Sequence, residues 1–136
     1  MKDFIVLIAV LIILLPFPLQ YALEEYNHNQ KSEIQSYVYT AKEKAKQEGY
    51  FTPEIKEQLI DNITKTFHIE KSDVHITTEK VRKYRQSKFN EDNLIYYKIE
   101  VPIRKIIAVP ILWGIGNDEN KTMYTIEGYA ASEAIL

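Results

Sequence analysis

The chain opens on a long apolar run. Phe4 to Ala22 contains no charged side chain and one strongly polar one, Gln20. About twenty such residues, in a helix that rises 1.5 Å per residue, would cross a hydrocarbon core ~30 Å thick. The pattern therefore predicts an apolar transmembrane or assembly helix over residues 1–23.

This run has three interpretations: a cleaved secretory signal, a membrane anchor with its N-terminus inside, or an assembly helix. The last would sit in the bilayer first and pack against copies of itself later. The exit sequence Leu19-Gln20-Tyr21-Ala22 is a poor cleavage site, which disfavours the secretory signal. Lys2 on one side of the run and Glu24 on the other favour an inside N-terminus.

Two prolines, Pro16 and Pro18, lie inside the apolar run. Each lacks an amide donor and strains the helical turn before it, so we expect a kink or a short unwound stretch. In lipid the carbonyl oxygens freed in this way need other partners, which neighbouring helices can supply. A lone anchor that tolerates both prolines is the alternative.

A helical period of three to four residues continues beyond the apolar run. It predicts an amphipathic helix over residues 24–48, with Gly49 as its stop. Joined to the run, this gives one helix of nearly fifty residues, about 70 Å long. The predicted inner face comprises Tyr26, Gln30, Ile34, Tyr37, Val38, Ala41 and Ala45.

The remaining residues, 49–136, predict a small head of one helix and one sheet. Thr52-Pro53-Glu54 is a helix start signal, and one apolar face then runs from Ile55 to Phe67. The apolar period then changes to two in three segments, which predicts half-buried strands. We expect an antiparallel meander packed on the amphipathic part of the long helix, hence an α+β fold. The predicted strands lie around 74–76, 95–103 and 124–130, with a turn over Asn90–Asn93 and a loop over Gly114–Asn120.

Ile106 to Trp113 is uncharged and apolar at a place where a loop is normally polar. Such a segment is either tucked over the sheet as core or exposed as an interaction surface. The sequence leaves both interpretations open.

Composition and charge exclude several classes of protein. The 17 basic and 19 acidic side chains give a net charge of −2, so no overall field attracts nucleic acid, and no nucleic-acid partner is expected. The mean hydropathy of −0.28 excludes a multi-span membrane protein. The absence of cysteine excludes disulfide scaffolds, thiolate metal sites and thiol catalysis.

Catalytic and ligand-binding motifs are also missing from the sequence. His28, His68 and His75 are scattered without metalloprotease spacing, and four glycines are too few for a phosphate loop or a dinucleotide fingerprint. The loop over residues 116–120 lacks the acidic pattern of a calcium-binding EF-hand, and the basic run over residues 80–88 is typical of an edge strand. We therefore predict no catalytic, metal or cofactor site, and not an enzyme.

A short polar tip, an apolar helix, an amphipathic continuation and a small sheet head together resemble type IV pilin-like subunits. The chain is most similar to TadE-like proteins of tight-adherence pilus systems, which share prolines in the helix and three later motifs. Typical type IV pilins carry Glu at the fifth position after the leader, where this chain has Ile5. The motifs correspond here to Ile99-Glu100-Val101-Pro102-Ile103, Ala108-Val109-Pro110-Ile111-Leu112, and Tyr124 to Glu133.

The resemblance implies a structural subunit of an extracellular pilus, with Met1 exposed by removal of a leader. Its expected partners are copies of itself in a helical filament, the plasma membrane before assembly, and the pilus assembly machinery. Asp3 would neutralise the amine of Met1 and the Lys2 ammonium, as Glu does in typical pilins. The expected assembly residues are Met1, Asp3, Phe4, Ile5, Leu7, Leu11, Leu14, Pro16 and Pro18. The alternative is a membrane-anchored accessory or binding module that does not polymerise.

Overall fold

The computed structural model describes residues 1–86, 91–116 and 118–135. Asn90 of the predicted turn, Lys88 of the basic run and Asn117 of the predicted loop lie outside the described residues. The chain is α+β, as predicted from the sequence. Its helices are α1 (Lys2–Leu14), α2 (Pro16–Glu48) and α3 (Pro53–Phe67), and its strands are β1 (His75–Thr78), β2 (Leu94–Arg104) and β3 (Lys121–Ala131).

The long N-terminal helix extends over 47 residues, from Lys2 to Glu48, with an interruption at Leu15. Pro16 and Pro18 have no amide hydrogen, so the helical ladder loses two donors directly after this residue. Leu15 nevertheless keeps helical angles, φ −61° and ψ −38°, and its amide donates to the Leu11 carbonyl at 2.9 Å. The interruption is therefore limited to Leu15, and the expected unwinding is not seen there because the backbone angles stay helical and the flanking turns stay hydrogen-bonded.

Packing divides the chain into two compact units. The first comprises residues 1–31 and 103–122, and the second comprises residues 32–102 and 123–136. The apolar helix and the Ile106–Trp113 loop therefore belong to the first unit, whereas α3 and most of the sheet belong to the second.

The second unit has its own hydrophobic core. The second half of α2 presents one face at helical spacing, α3 contributes another, and alternate residues of β2 complete the interior. Full burial of each such aliphatic side chain stabilises the fold by about 1.5–3 kcal/mol. The core includes Ile34, Val38, Ala41, Ala45, Phe51, Ile55, Leu59, Ile63, Ile95, Tyr97, Ile99 and Val101.

The sheet has the strand order β1-β2-β3 and is antiparallel, as the predicted meander requires. In the β1–β2 pair, His75 lies opposite Glu100 and Ile76 lies opposite Ile99. Ile99 is fully buried, so this register directs the apolar side chains of β2 inward. The α3 start signal is also confirmed, since the Thr52 hydroxyl accepts a hydrogen bond from the Ile55 amide at 3.2 Å.

Gly49 ends α2 in the left-handed region, with φ +88°. A Cβ atom at this position would overlap the carbonyl oxygen of Lys83, whose amide donates to the Gly49 carbonyl at 2.8 Å. We therefore expect Gly49→Ala to lower the free energy of unfolding by about 2 kcal/mol or more, because backbone strain adds to the overlap. Denaturant unfolding of the detergent-solubilised chain, followed by circular dichroism, measures this loss.

Gly114→Ala is the matched control. Gly114 also has a positive φ, +68°, but a Cβ atom there would meet nothing within 4 Å. Only backbone strain remains, about 1 kcal/mol. Equal losses in the two variants would show that the close approach of Lys83 does not matter.

Candidate membrane-contact and assembly surface

Most of the apolar helix is not covered by other described parts of the chain. No part of its most apolar stretch is buried, and among the described residues it is the one helix long and apolar enough to cross a membrane. The large apolar side chains from Phe4 to Leu19 are between 42% exposed, at Ile8, and 70% exposed, at Phe17, whereas Pro16 and Gln20 are half-buried. Each square ångström of apolar surface left in water costs about 25 cal/mol, so this surface needs a nonaqueous environment or a protein partner.

The structure places the expected assembly residues along this one helix. Met1 lies at its N-terminal cap position, and Asp3 lies in its first turn, where a carboxylate also favours the positive end of the helix dipole. Pro16 is half-buried and Pro18 is exposed at the start of α2. The apolar members, Phe4, Ile5, Leu7, Leu11 and Leu14, are all exposed on α1.

Gln20 joins the apolar helix to the loop that follows β2. Its Nε2 donates to the Ile106 carbonyl at 2.8 Å, and its Oε1 accepts from the Ala108 amide at 2.8 Å. A single amide side chain thus pairs with two backbone groups that are two residues apart in the chain. Gln20 is thus hydrogen-bonded at both amide atoms.

Asn120 pairs with Ile107, the residue between those two partners of Gln20. The Ile107 amide donates to Asn120 Oδ1 at 2.8 Å, and Asn120 Nδ2 donates to the Ile107 carbonyl at 2.9 Å. Asn120 is only 5% exposed, so this pairing satisfies a buried amide. We call Gln20, Asn120 and the backbone of residues 106–108 the amide clamp.

The loop beyond the clamp combines both interpretations that the sequence left open. Residues 106–110 are half-buried, whereas Ile111 is 82% and Trp113 72% exposed. Between loop and helix runs an apolar groove of about 350 Å³. Its walls include Ile12, Ile13, Pro16 and Phe17 from the helix, and Val109, Leu112 and Trp113 from the loop.

One sequence prediction fails in this unit. The helical period places Tyr26 on the inner face of α2, but Tyr26 is 58% exposed and the adjacent Asn27 is buried. The physical reason is that the partner at this level is polar, since Asn27 Nδ2 donates to the Lys105 carbonyl at 3.3 Å. Periodicity alone did not reveal this amide or the clamp, although Gln20 was conspicuous as the one strongly polar side chain in the apolar run.

No family model matches this chain, and neither a curated protein nor a solved structure matches it. Within the described residues, no three His, Asp or Glu side chains come together as a metal site would require. The apolar helix and its loop are therefore the most distinctive surface on which a functional argument can be based.

Proposed function

We propose that this chain is a structural subunit of a type IV-like, TadE-like pilus. It is inserted in the plasma membrane through residues 1–23, with its head outside, and it polymerises through the apolar helix into an extracellular filament. The observation that carries this proposal is that no residue in the most apolar stretch of that helix is buried, in a chain whose second unit has a core of its own. Lipid covers the helix before assembly, and neighbouring copies cover it afterwards.

The energetics support a noncovalent filament. A helix of this kind offers well over a thousand Å² of apolar surface, so at ~25 cal/mol per Å² its burial is worth tens of kcal/mol before entropic costs. The missing donors at Pro16 and Pro18 leave the carbonyl oxygens of Ile12 and Leu14 without their helical partners. Polar groups of adjacent copies, or trapped water, satisfy such oxygens more readily than lipid does.

The second candidate is a membrane-anchored accessory or binding module that stays single. The amide clamp favours it, because the loop is held by a helix of its own chain without help from a second copy. Electron microscopy of the purified full chain at increasing concentration distinguishes the two candidates. Filaments that appear above a threshold concentration support the pilus subunit, and dispersed particles at every concentration contradict it.

Disulfide trapping tests the contact itself, because the natural chain has no cysteine. Neighbours in a helical filament are displaced along its axis, so different levels of α1 face each other. When chains carrying Leu11→Cys are assembled with chains carrying Phe4→Cys, Leu7→Cys or Leu14→Cys, we expect at least one mixture to give a covalent dimer after mild oxidation. Val81→Cys is the matched control, because Val81 is 67% exposed but lies in the second unit. Non-reducing electrophoresis measures the outcome, and the absence of a dimer from every mixture would contradict assembly through α1.

A further inference from the structure

The exposed tip of the Ile106–Trp113 loop lies beside the apolar helix. The helix residues next to it are several positions N-terminal to Ala22, where the apolar run ends. It shares a groove with Ile12, Ile13 and Phe17. Ile12 lies about 12 Å from Gln20 along the helix axis, at 1.5 Å per residue. If a hydrocarbon core of ~30 Å begins at Phe4, its outer boundary falls near Leu23, so the groove extends from the outer leaflet to about the middle of the bilayer.

We propose that the loop tip, Ile111–Trp113, is a second membrane contact that inserts into the acyl-chain region of the bilayer. The inference rests on the membrane-anchored state within the proposed function and does not require polymerisation. The partner is the phospholipid bilayer itself, because the groove places the tip at lipid depth as soon as the helix is inserted.

The chemistry of the tip suits this environment. No charge occurs from Ile106 to Gly116, and Ile111 and Trp113 expose most of their surface. Tryptophan is enriched where a protein meets the membrane interface, since its ring is apolar and its indole nitrogen is polar. The nearest described charged residues, Lys105 before the loop and Asp118 after it, are exposed and stay with the water phase.

Several polar groups of the loop backbone are hydrogen-bonded within the protein. Beyond the clamp, the Leu112 amide donates to the Val109 carbonyl at 3.3 Å, and the Ile115 amide donates to the Pro110 carbonyl at 3.0 Å. Pro110 has no amide hydrogen to satisfy. Irregular backbone is tolerated at membrane depth only where its polar groups have such partners.

The amide clamp removes polar groups of both the helix and the loop from contact with lipid. Gln20 would otherwise be an unsatisfied amide inside the apolar run, and the Ile106 carbonyl and the Ala108 amide would be unsatisfied in the loop. Their mutual pairing satisfies all three residues at once, which matters most in a low-dielectric environment. A second copy of the chain is the competing partner for the tip, and the experiment separates it from lipid.

Trp113 is the only tryptophan, so its fluorescence reports on the tip directly. The full chain is reconstituted at low density in phosphatidylcholine vesicles that contain lipids brominated either near the headgroup or near the terminal methyl. We expect quenching by both brominated lipids and little quenching by aqueous iodide. Flotation of the vesicles verifies insertion in the same sample.

Three results would overturn the inference. In the first, iodide quenches Trp113 and neither brominated lipid does, although the chain floats with the vesicles. In the second, protection of Trp113 disappears when the protein is diluted with lipid, which identifies a second copy as the partner. In the third, the chain fails to float, which overturns the anchored state of the proposed function as well.

A pair of variants tests the role of the tip. Ile111 is 82% exposed, so Ile111→Lys should leave the protein fold unchanged but should remove most of the quenching by brominated lipid, because a lysine near the acyl chains is costly. Val81→Lys changes an equally apolar, exposed side chain outside the first unit and should leave the quenching unchanged. Equal quenching in the two variants would contradict insertion of the tip.

Discussion

A chain that begins at Glu24 should stay in solution as a monomer, neither floating with vesicles nor forming filaments. The deletion removes every exposed apolar side chain between Phe4 and Leu19, and with them the surface that needs lipid or a copy of the helix. The second unit should stay folded because its core is built from residues beyond Ser32. Sedimentation, vesicle flotation and electron microscopy measure the three outcomes.

The deletion also removes Gln20 and so opens one side of the amide clamp. Gln20→Ala in the full chain is therefore the matched control, because it loses the same hydrogen bonds to Ile106 and Ala108 but keeps the apolar helix. This variant should still float with vesicles and still form filaments. Filaments from the chain that begins at Glu24 would show that α1 is not the assembly element.

Local sequence chemistry was sufficient to predict most of the fold. A cap at Thr52, a stop at Gly49 and the missing donor of Pro16 act on groups within four residues of themselves, so their effects are visible in the printed sequence. The strands are predictable for a related reason, since alternate side chains of β2 must face a common core. Each of these predictions depends on periods and end signals alone.

The amide clamp could not be predicted in this way. Gln20 and Ile106 are 86 positions apart, and nothing in either segment specifies the other. The apolar run predicts burial for its side chains, but the one polar side chain in it has a specific partner that only the folded chain reveals. The inner-face position of Asn27, in place of the predicted Tyr26, has the same explanation. Asn27 bonds the Lys105 carbonyl, which is distant in sequence, and the apolar period carries no information about such a partner.

Asp3→Ala should abolish filaments or sharply reduce their yield, while membrane insertion stays intact. Lys2 and Asp3 are the only charged residues among the first 23, and both are exposed at the start of α1. In a filament core the Lys2 ammonium would lose water, and an unpaired buried cation costs several kcal/mol. The Asp3 carboxylate of the same or a neighbouring subunit is then the nearest available counter-charge. Electron microscopy counts the filaments, and flotation verifies insertion.

Two further variants show whether charge pairing is the cause. Asp3→Glu keeps a carboxylate and should retain filaments, because the longer side chain still reaches an adjacent ammonium. Lys2→Ala combined with Asp3→Ala should recover part of the lost yield, since removing both partners eliminates the uncompensated charge that the single change leaves. If Asp3 acted only by stabilising the helix dipole, its loss would cost only about 0.3–1 kcal/mol. The double variant would then have no higher filament yield than Asp3→Ala. Normal filaments from Asp3→Ala would contradict both roles and leave apolar packing of α1 as the whole of the assembly energy.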